Sequence, residues 1–77
     1  MKIVIVDDDC LVTAALKTIL EVNEDVQVLA TGSDGRDAVC LYAEYKPDVL
    51  LMDIRMKNMN GLEASAEILK ADAKANI

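Results

Sequence analysis

The chain has no Phe, no Trp, two Tyr, three Gly and a single Pro. Without large aromatics, its core must be assembled from Val, Ile, Leu, Ala and Met. Positive charge is also scarce: 8 Lys and Arg stand against 14 Asp and Glu, a net charge of −6. That balance disfavours a direct nucleic-acid role, which needs a basic surface, and binding to anionic membranes. No apolar run approaches the roughly 20 residues of a membrane span. Met1-Lys2 and four apolar residues before three Asp are too short for a signal peptide, so a cytoplasmic protein is expected. Cys10 and Cys40 are far apart without metal-type spacing and read as reduced, packed thiols. There is no internal repeat and no low-complexity segment.

Apolar residues nevertheless make up 53% of the chain and charged ones 29%, the balance of a folded chain rather than a disordered one. Seventy-seven residues allow one domain at most. A chain near this size buries only about 60% of its unfolded surface, which predicts marginal stability.

The organising stretch is Val49-Leu50-Leu51-Met52-Asp53, four large apolar residues ending in one carboxylate, after the turn signal Lys46-Pro47-Asp48. Such a run reads as a parallel strand buried on both faces. Ile3-Val4-Ile5-Val6 followed by Asp7-Asp8-Asp9 has the same design. An ionised Asp is costly to desolvate, so each must emerge where water, a cation or a donor reaches it. Parallel α/β sheets hold ligands at that carboxyl edge.

In chain order, residues 2–6 read as β1. Asp9 is placed to cap a helix over residues 10–22, with apolar stripes at Leu11, Ala15, Ile19 and at Val12, Leu16, Leu20. Residues 26–30 suit an edge strand, and Ser33 or Asp34 starts a helix over 34–45 marked by Ala38, Leu41, Tyr42 and Tyr45. Residues 49–53 form the third strand. After the turn Asn58-Met59-Asn60-Gly61, the pattern Leu62, Ser65, Ala66, Leu69 predicts a helix over 61–71. The sum is βαβαβα with right-handed crossovers and a parallel sheet. Ala71 to Ile77 looks like a connection into another strand, so an incomplete domain is expected.

If the first and third strands are neighbours, about 4.8 Å apart, Asp7, Asp8 and Asp53 converge. Like charges this close repel unless a cation neutralises them. Hard oxygen ligands favour Mg²⁺, and one carboxylate can then attack a phosphoryl group to form an acyl phosphate. The plainer reading makes Asp7–Asp9 only a helix start favoured by the macrodipole and Asp53 a solvated strand end. Contiguous Asp residues do not match an EF-hand. A stand-alone Mg²⁺-dependent phosphatase lacks a general base or Arg/Lys clamp beside the acids.

Ile5-Val6-Asp7-Asp8, Pro47 to Asp53, and Met56-x-x-Met59-x-Gly61-Leu62-Glu63 together resemble the response-regulator receiver domain of two-component signalling. The resemblance covers the whole chain but only the first three of the family's five βα units. It implies a flavodoxin-like α/β fold with helices on both faces and strand order 2-1-3 for this incomplete (βα)3 half. It makes Asp53 the phospho-acceptor. Mg²⁺, or Mn²⁺ in its place, would be held by Asp8, Asp53 and the Arg55 backbone carbonyl, with Asp7 acting through water. Gly61 matches the glycine that supports the loop and opens the third helix. A sensor histidine kinase or a small phosphodonor would be the partner. Gly61-Leu62-Glu63-Ala64 resembles receivers that precede helix-turn-helix effectors.

Two departures are visible. Lys57 stands where the family usually has Pro, which loosens the loop. The family's hydroxyl residue after the fourth strand and Lys after the fifth have no counterpart, so any phosphorylation should be slow. The order 2-1-3 also leaves strand 49–53 as a bare edge, a template for another chain. The alternative expectation is therefore a self-associating, non-catalytic half-domain. Its homodimer interface would include that strand and the apolar faces of the first and third helices.

Overall fold

The computed structural model describes residues 1–56 and 58–77. The loosening expected at Lys57 lies outside the described residues. The elements run β1 (Lys2–Val6), α1 (Cys10–Leu20), β2 (Gln27–Gly32), α2 (Gly35–Tyr45), β3 (Val49–Met52) and α3 (Gly61–Ala71). The three strands are parallel in the order β2-β1-β3. This is the flavodoxin-like arrangement the family resemblance implies.

β1 is central, so its alternate side chains feed two cores. Val4 and Val6 point to one face and pack with Ala38 of α2, Leu50 of β3, and Ala64 and Ile68 of α3. Ile3 and Ile5 point to the other and pack with Val28, Leu16 and Leu20. Helices therefore cover both faces, α2 and α3 on one and α1 on the other. Such two-sided burial is why β1 reads as a continuous apolar run. β3 does not share it: Leu50 is fully buried but Leu51 on the opposite face is 36% exposed, so the two-sided burial expected for 49–53 is not met.

Several boundaries and faces differ from the sequence expectation. α1 stops at Leu20, not 22: the Glu21 N–H makes a last helical bond to the Lys17 carbonyl, and the Asn23 N–H then turns to the Leu20 carbonyl, three residues back, at 3.3 Å. Glu21 Oε2 then accepts the Val28 N–H at 3.2 Å, bringing the chain back into β2. β2 extends to Gly32 because its last residues pair with Ile5 and Val6. Asp34 is the cap of α2 rather than its first residue, and Asp53 lies just past β3.

The buried stripe of α3 is not the expected one, and α1 keeps only Leu16 and Leu20 of its expected double stripe. α1 turns Thr13, Leu16 and Leu20 inward, while Leu11 and Ile19 are 77% and 66% exposed. α3 buries Gly61, Ala64 and Ile68, and leaves Leu62 66% exposed. The same helical spacing holds, shifted by one residue. Small residues at Gly61 and Ala64 let the start of α3 sit close to the Asp53–Ile54 backbone and the core around Ala38 and Leu50, whereas a Leu there would hold it off. Cys10 and Cys40 are exposed, so they are free surface thiols and not packed ones.

The expected bare edge is partly occupied. The Leu50 N–H donates to the Asn76 carbonyl at 2.9 Å, so the residues after α3 lie along the outer side of β3. Tyr42 and Asp72 fasten α2 to the end of α3 through a 2.8 Å hydrogen bond. That bond, chiefly, holds the Asp72 carboxyl below the usual carboxylate range and pushes the Tyr42 hydroxyl up. Among the described residues, no helix is long and apolar enough to cross a membrane.

Candidate functional site

The site follows from the register of β1 against β3. Val6 pairs with Met52, so the next residue of each strand, Asp7 and Asp53, emerges at the same carboxyl edge. The Asp53 N–H donates to the Val6 carbonyl at 3.0 Å, and the Asp7 N–H to the Gly32 carbonyl at 3.1 Å. These backbone bonds extend the sheet past its last apolar residues and fix where the two carboxylates begin.

One carboxylate oxygen from each of Asp7, Asp8 and Asp53 falls within 4.8 Å of the others. Asp7 and Asp53 are half-buried and Asp8 is exposed. Asp7 Oδ1 accepts the Asp9 N–H at 2.9 Å. Asp9 is not in the group: its Oδ1 caps α1 by accepting the Leu11 N–H at 2.9 Å. The acidic triplet thus divides into two convergent carboxylates and one cap.

Arg55 sits two residues past the strand-end carboxylate, its N–H 3.3 Å from Asp53 Oδ1. Gly61 is in place for a steric reason. Its N–H donates to the Ile54 carbonyl at 2.7 Å, and an added Cβ would run into the Asp53 carbonyl oxygen and lie 2.7 Å from Ile54 Cα. Only glycine permits α3 to start this close to the phospho-acceptor candidate.

The chemistry of the donor set fits a hard divalent cation. Mg²⁺ takes oxygens at about 2.1 Å, so ligands on its opposite sides lie roughly 4.2 Å apart. Three carboxylate oxygens within 4.8 Å match that size with room for a bridging water. Two open hollows flank the group. One of about 350 Å³ runs over Ile5, Leu16 and Leu51 to Asp7 and Asp53. The other, of about 210 Å³, has Asp7, Asp8, Cys10 and Ser33 on its walls. A slightly larger hollow, about 370 Å³, lies away between α2 and α3 over Val39, Tyr42 and Ala43. Converging acids, rather than volume, mark the chemical site.

Sequence reasoning missed one set of contacts. The loop after β3 is tied to the start of α2: Asn58 Nδ2 donates to Asp34 Oδ2 at 2.7 Å, and the Gly35 N–H to the Met59 carbonyl at 2.9 Å. Asp34 and Asn58 each looked like local turn chemistry, and nothing in a pattern 24 residues apart joins them.

Comparison with known proteins bears on the whole chain. The response regulator receiver domain family matches residues 3–77. The transcriptional regulatory protein DegU of Brevibacillus brevis is 43% identical over 70 residues, 91% of this chain and 30% of DegU. The chemotaxis protein CheY of Listeria monocytogenes is 39% identical over the full 77 residues, 64% of its own length. The response regulator domain of Thermotoga maritima CheB superposes with a TM-score of 0.91 at 39% identity, over 94% of this chain and 54% of that one. The chain therefore spans less than two thirds of each of these proteins. Fold, strand order and sequence agree, and the chain belongs to the response regulator receiver domain family of two-component signalling.

Proposed function

We propose that this chain is a phosphoacceptor module that takes a phosphoryl group on Asp53. The observation that carries the reading is the convergence of Asp7, Asp8 and Asp53 within 4.8 Å at the carboxyl edge of the sheet. Asp8, Asp53 and the Arg55 carbonyl would hold Mg²⁺ (Mn²⁺ suits the same oxygen ligands), and Asp7 would act through a water. A cation held there would neutralise the clustered charge and would supply Lewis-acid stabilisation to the phosphoryl oxygens. Asp53 supplies the nucleophile. Its carboxylate oxygen bonds to phosphorus as the bond to the donor breaks, and the bonding pair leaves with the donor. The Arg55 N–H orients Oδ1, and Gly61 lets α3 start close against the strand end.

The donor is a sensor histidine kinase or a small acyl phosphate. A net charge of −6 argues against DNA contact by this chain itself, and a cytoplasmic location fits the absence of a membrane-length helix among the described residues. The test is incubation with acetyl phosphate and Mg²⁺, read by intact mass. One acid-labile phosphoryl group is expected, lost in Asp53→Asn and on chelation. Undiminished labelling of Asp53→Asn would sink the assignment.

A second reading, self-association, rests on the exposed apolar side chains near the β3 edge. Leu51 is 36% and Ile54 57% exposed, with Leu11 and Ile19 on α1 and Leu62 and Leu69 on α3 also exposed. Twofold pairing through strand 49–53 and these helices would cover them. Sedimentation at micromolar concentration is expected to show a dimer; a compact monomer there would end this reading.

A further inference from the structure

The loop from Asp53 to Asn60 carries the Arg55 carbonyl proposed above as a cation ligand. Its two ends are well secured. At one end Asp53 bonds to Val6, and the Ile54 carbonyl accepts the Gly61 N–H. At the other, Asn60 Oδ1 caps α3 by accepting the Glu63 N–H at 2.9 Å. Met56 and Met59 pack against the core beneath the loop, and among the described residues the hydrogen bonds that reach its middle from outside come from the first turn of α2. They are the Asn58–Asp34 bond at 2.7 Å and the Met59–Gly35 bond at 2.9 Å.

The backbone of Asn58 needs that support. Its φ of 68° is in the left-handed region, which L residues rarely adopt and which Asn tolerates better than most. Asp34 is placed to give it. One oxygen, Oδ1, accepts the Asp37 N–H at 2.8 Å and caps α2, leaving Oδ2 for Asn58. Gly35 completes the junction, since a Cβ there would collide with the Met59 backbone. The Asp37 and Asn58 hydrogen bonds, in that order, hold the Asp34 carboxyl below its usual range, so it stays ionised.

We propose that Asp34 is a positioning residue for the cation site. Through its hydrogen bond to Asn58 it steadies the loop that carries Arg55, whose N–H lies 3.3 Å from Asp53 Oδ1 and whose carbonyl is the proposed ligand. It touches neither metal nor phosphoryl group. Partners of this kind, one step removed from the ligands, commonly change metal affinity tenfold or more when altered. The inference rests on the cation site proposed above.

The test separates capping from positioning. In Asp34→Asn the amide oxygen still caps α2, since Asn and Asp cap comparably, but its NH₂ cannot accept from the Asn58 NH₂. Asn58 must turn its amide over, and a weaker neutral bond replaces the charge-assisted one. Isothermal titration of the whole chain with Mg²⁺ should give a Kd about tenfold weaker. In metal-free protein, ¹⁵N relaxation should show order parameters at Arg55, Met56 and Asn58 falling from about 0.85 toward 0.6. Adding Asn58→Asp reverses the pair, with the amide at 34 donating to the new carboxylate at unchanged net charge. This double variant should recover both the affinity and the order. An unchanged Kd and a rigid loop in Asp34→Asn, or a double variant as impaired as the single, would overturn the proposal. Failure of the wild-type chain to bind Mg²⁺ at all would instead remove the proposed function, and the order parameters alone would then decide the positioning role.

Discussion

Asp8→Asn is expected to melt above the parent chain without divalent cation and below it when Mg²⁺ is abundant. The two signs have one cause. Asp7, Asp8 and Asp53 place like charges within 4.8 Å, so removing one relieves repulsion in the metal-free protein. The same removal deletes a cation ligand. Binding to the folded state alone stabilises by RT ln(1 + [L]/Kd), about 1.4 kcal/mol at ten times Kd. For a domain of this size that is a rise of roughly 6–11 °C in Tm. The parent chain should gain it and Asp8→Asn should not, so the two melting curves exchange order as Mg²⁺ is added. Asp9→Asn is the control, because its Oδ1 caps α1 outside the group and Asn caps as well. Equal Mg²⁺-induced shifts in Asp8→Asn and the parent would show that the cation binds elsewhere or only diffusely.

The parts of this site that were legible in the sequence are those set by strand direction. A parallel strand with both faces buried shows as an unbroken apolar run, and a carboxylate ending it marks the sheet's carboxyl edge. The runs Ile3–Val6 and Val49–Met52 marked two such carboxylate-ended strands, but their adjacency followed only from the strand order that the family resemblance implied, and the pairing of Val6 with Met52 agrees with it. The Asp9 cap was legible for a similar reason, since helix starts depend on one short side chain and local amides.

The helix faces were less legible. Hydrophobicity alone favours the Leu-rich stripe of α3, yet the sheet accepts Gly61, Ala64 and Ile68 and leaves Leu62 and Leu69 outside. Close packing selects for volume as well as polarity, and a pattern of apolar letters carries no volume. In α1, Thr13 is buried because its hydroxyl is satisfied within the turn, donating to the Cys10 carbonyl at 3.0 Å. A polar letter there argued for the wrong face. The Asp34–Asn58 contact was invisible for a third reason. It joins two turns that each make sense alone, and only the tertiary fold brings them together.

Leu50→Ala is expected to unfold a large share of the chain at room temperature. Leu50 is fully buried, pairs with Val4 in the sheet, and packs with Val6, Ala38, Ala64 and Ile68. Truncating a buried Leu costs about 2–5 kcal/mol, part of it transfer and part of it the cavity left behind. Stability of roughly 0.05–0.15 kcal/mol per residue gives a 77-residue chain only about 4–12 kcal/mol in total. The loss is thus comparable to everything that holds the fold. Because Leu50 anchors β3, the position of Asp53 should be lost in the same cooperative step. Urea titration should show a much lower midpoint with an unchanged slope, the signature of lost stability rather than altered compactness. Leu11→Ala makes the contrast: at 77% exposure it should stay within about 0.5 kcal/mol of the parent in dilute monomer. If Leu50→Ala and Leu11→Ala shifted the midpoint equally, the two-sided core around β1 and β3 would not be what holds the carboxylate edge together.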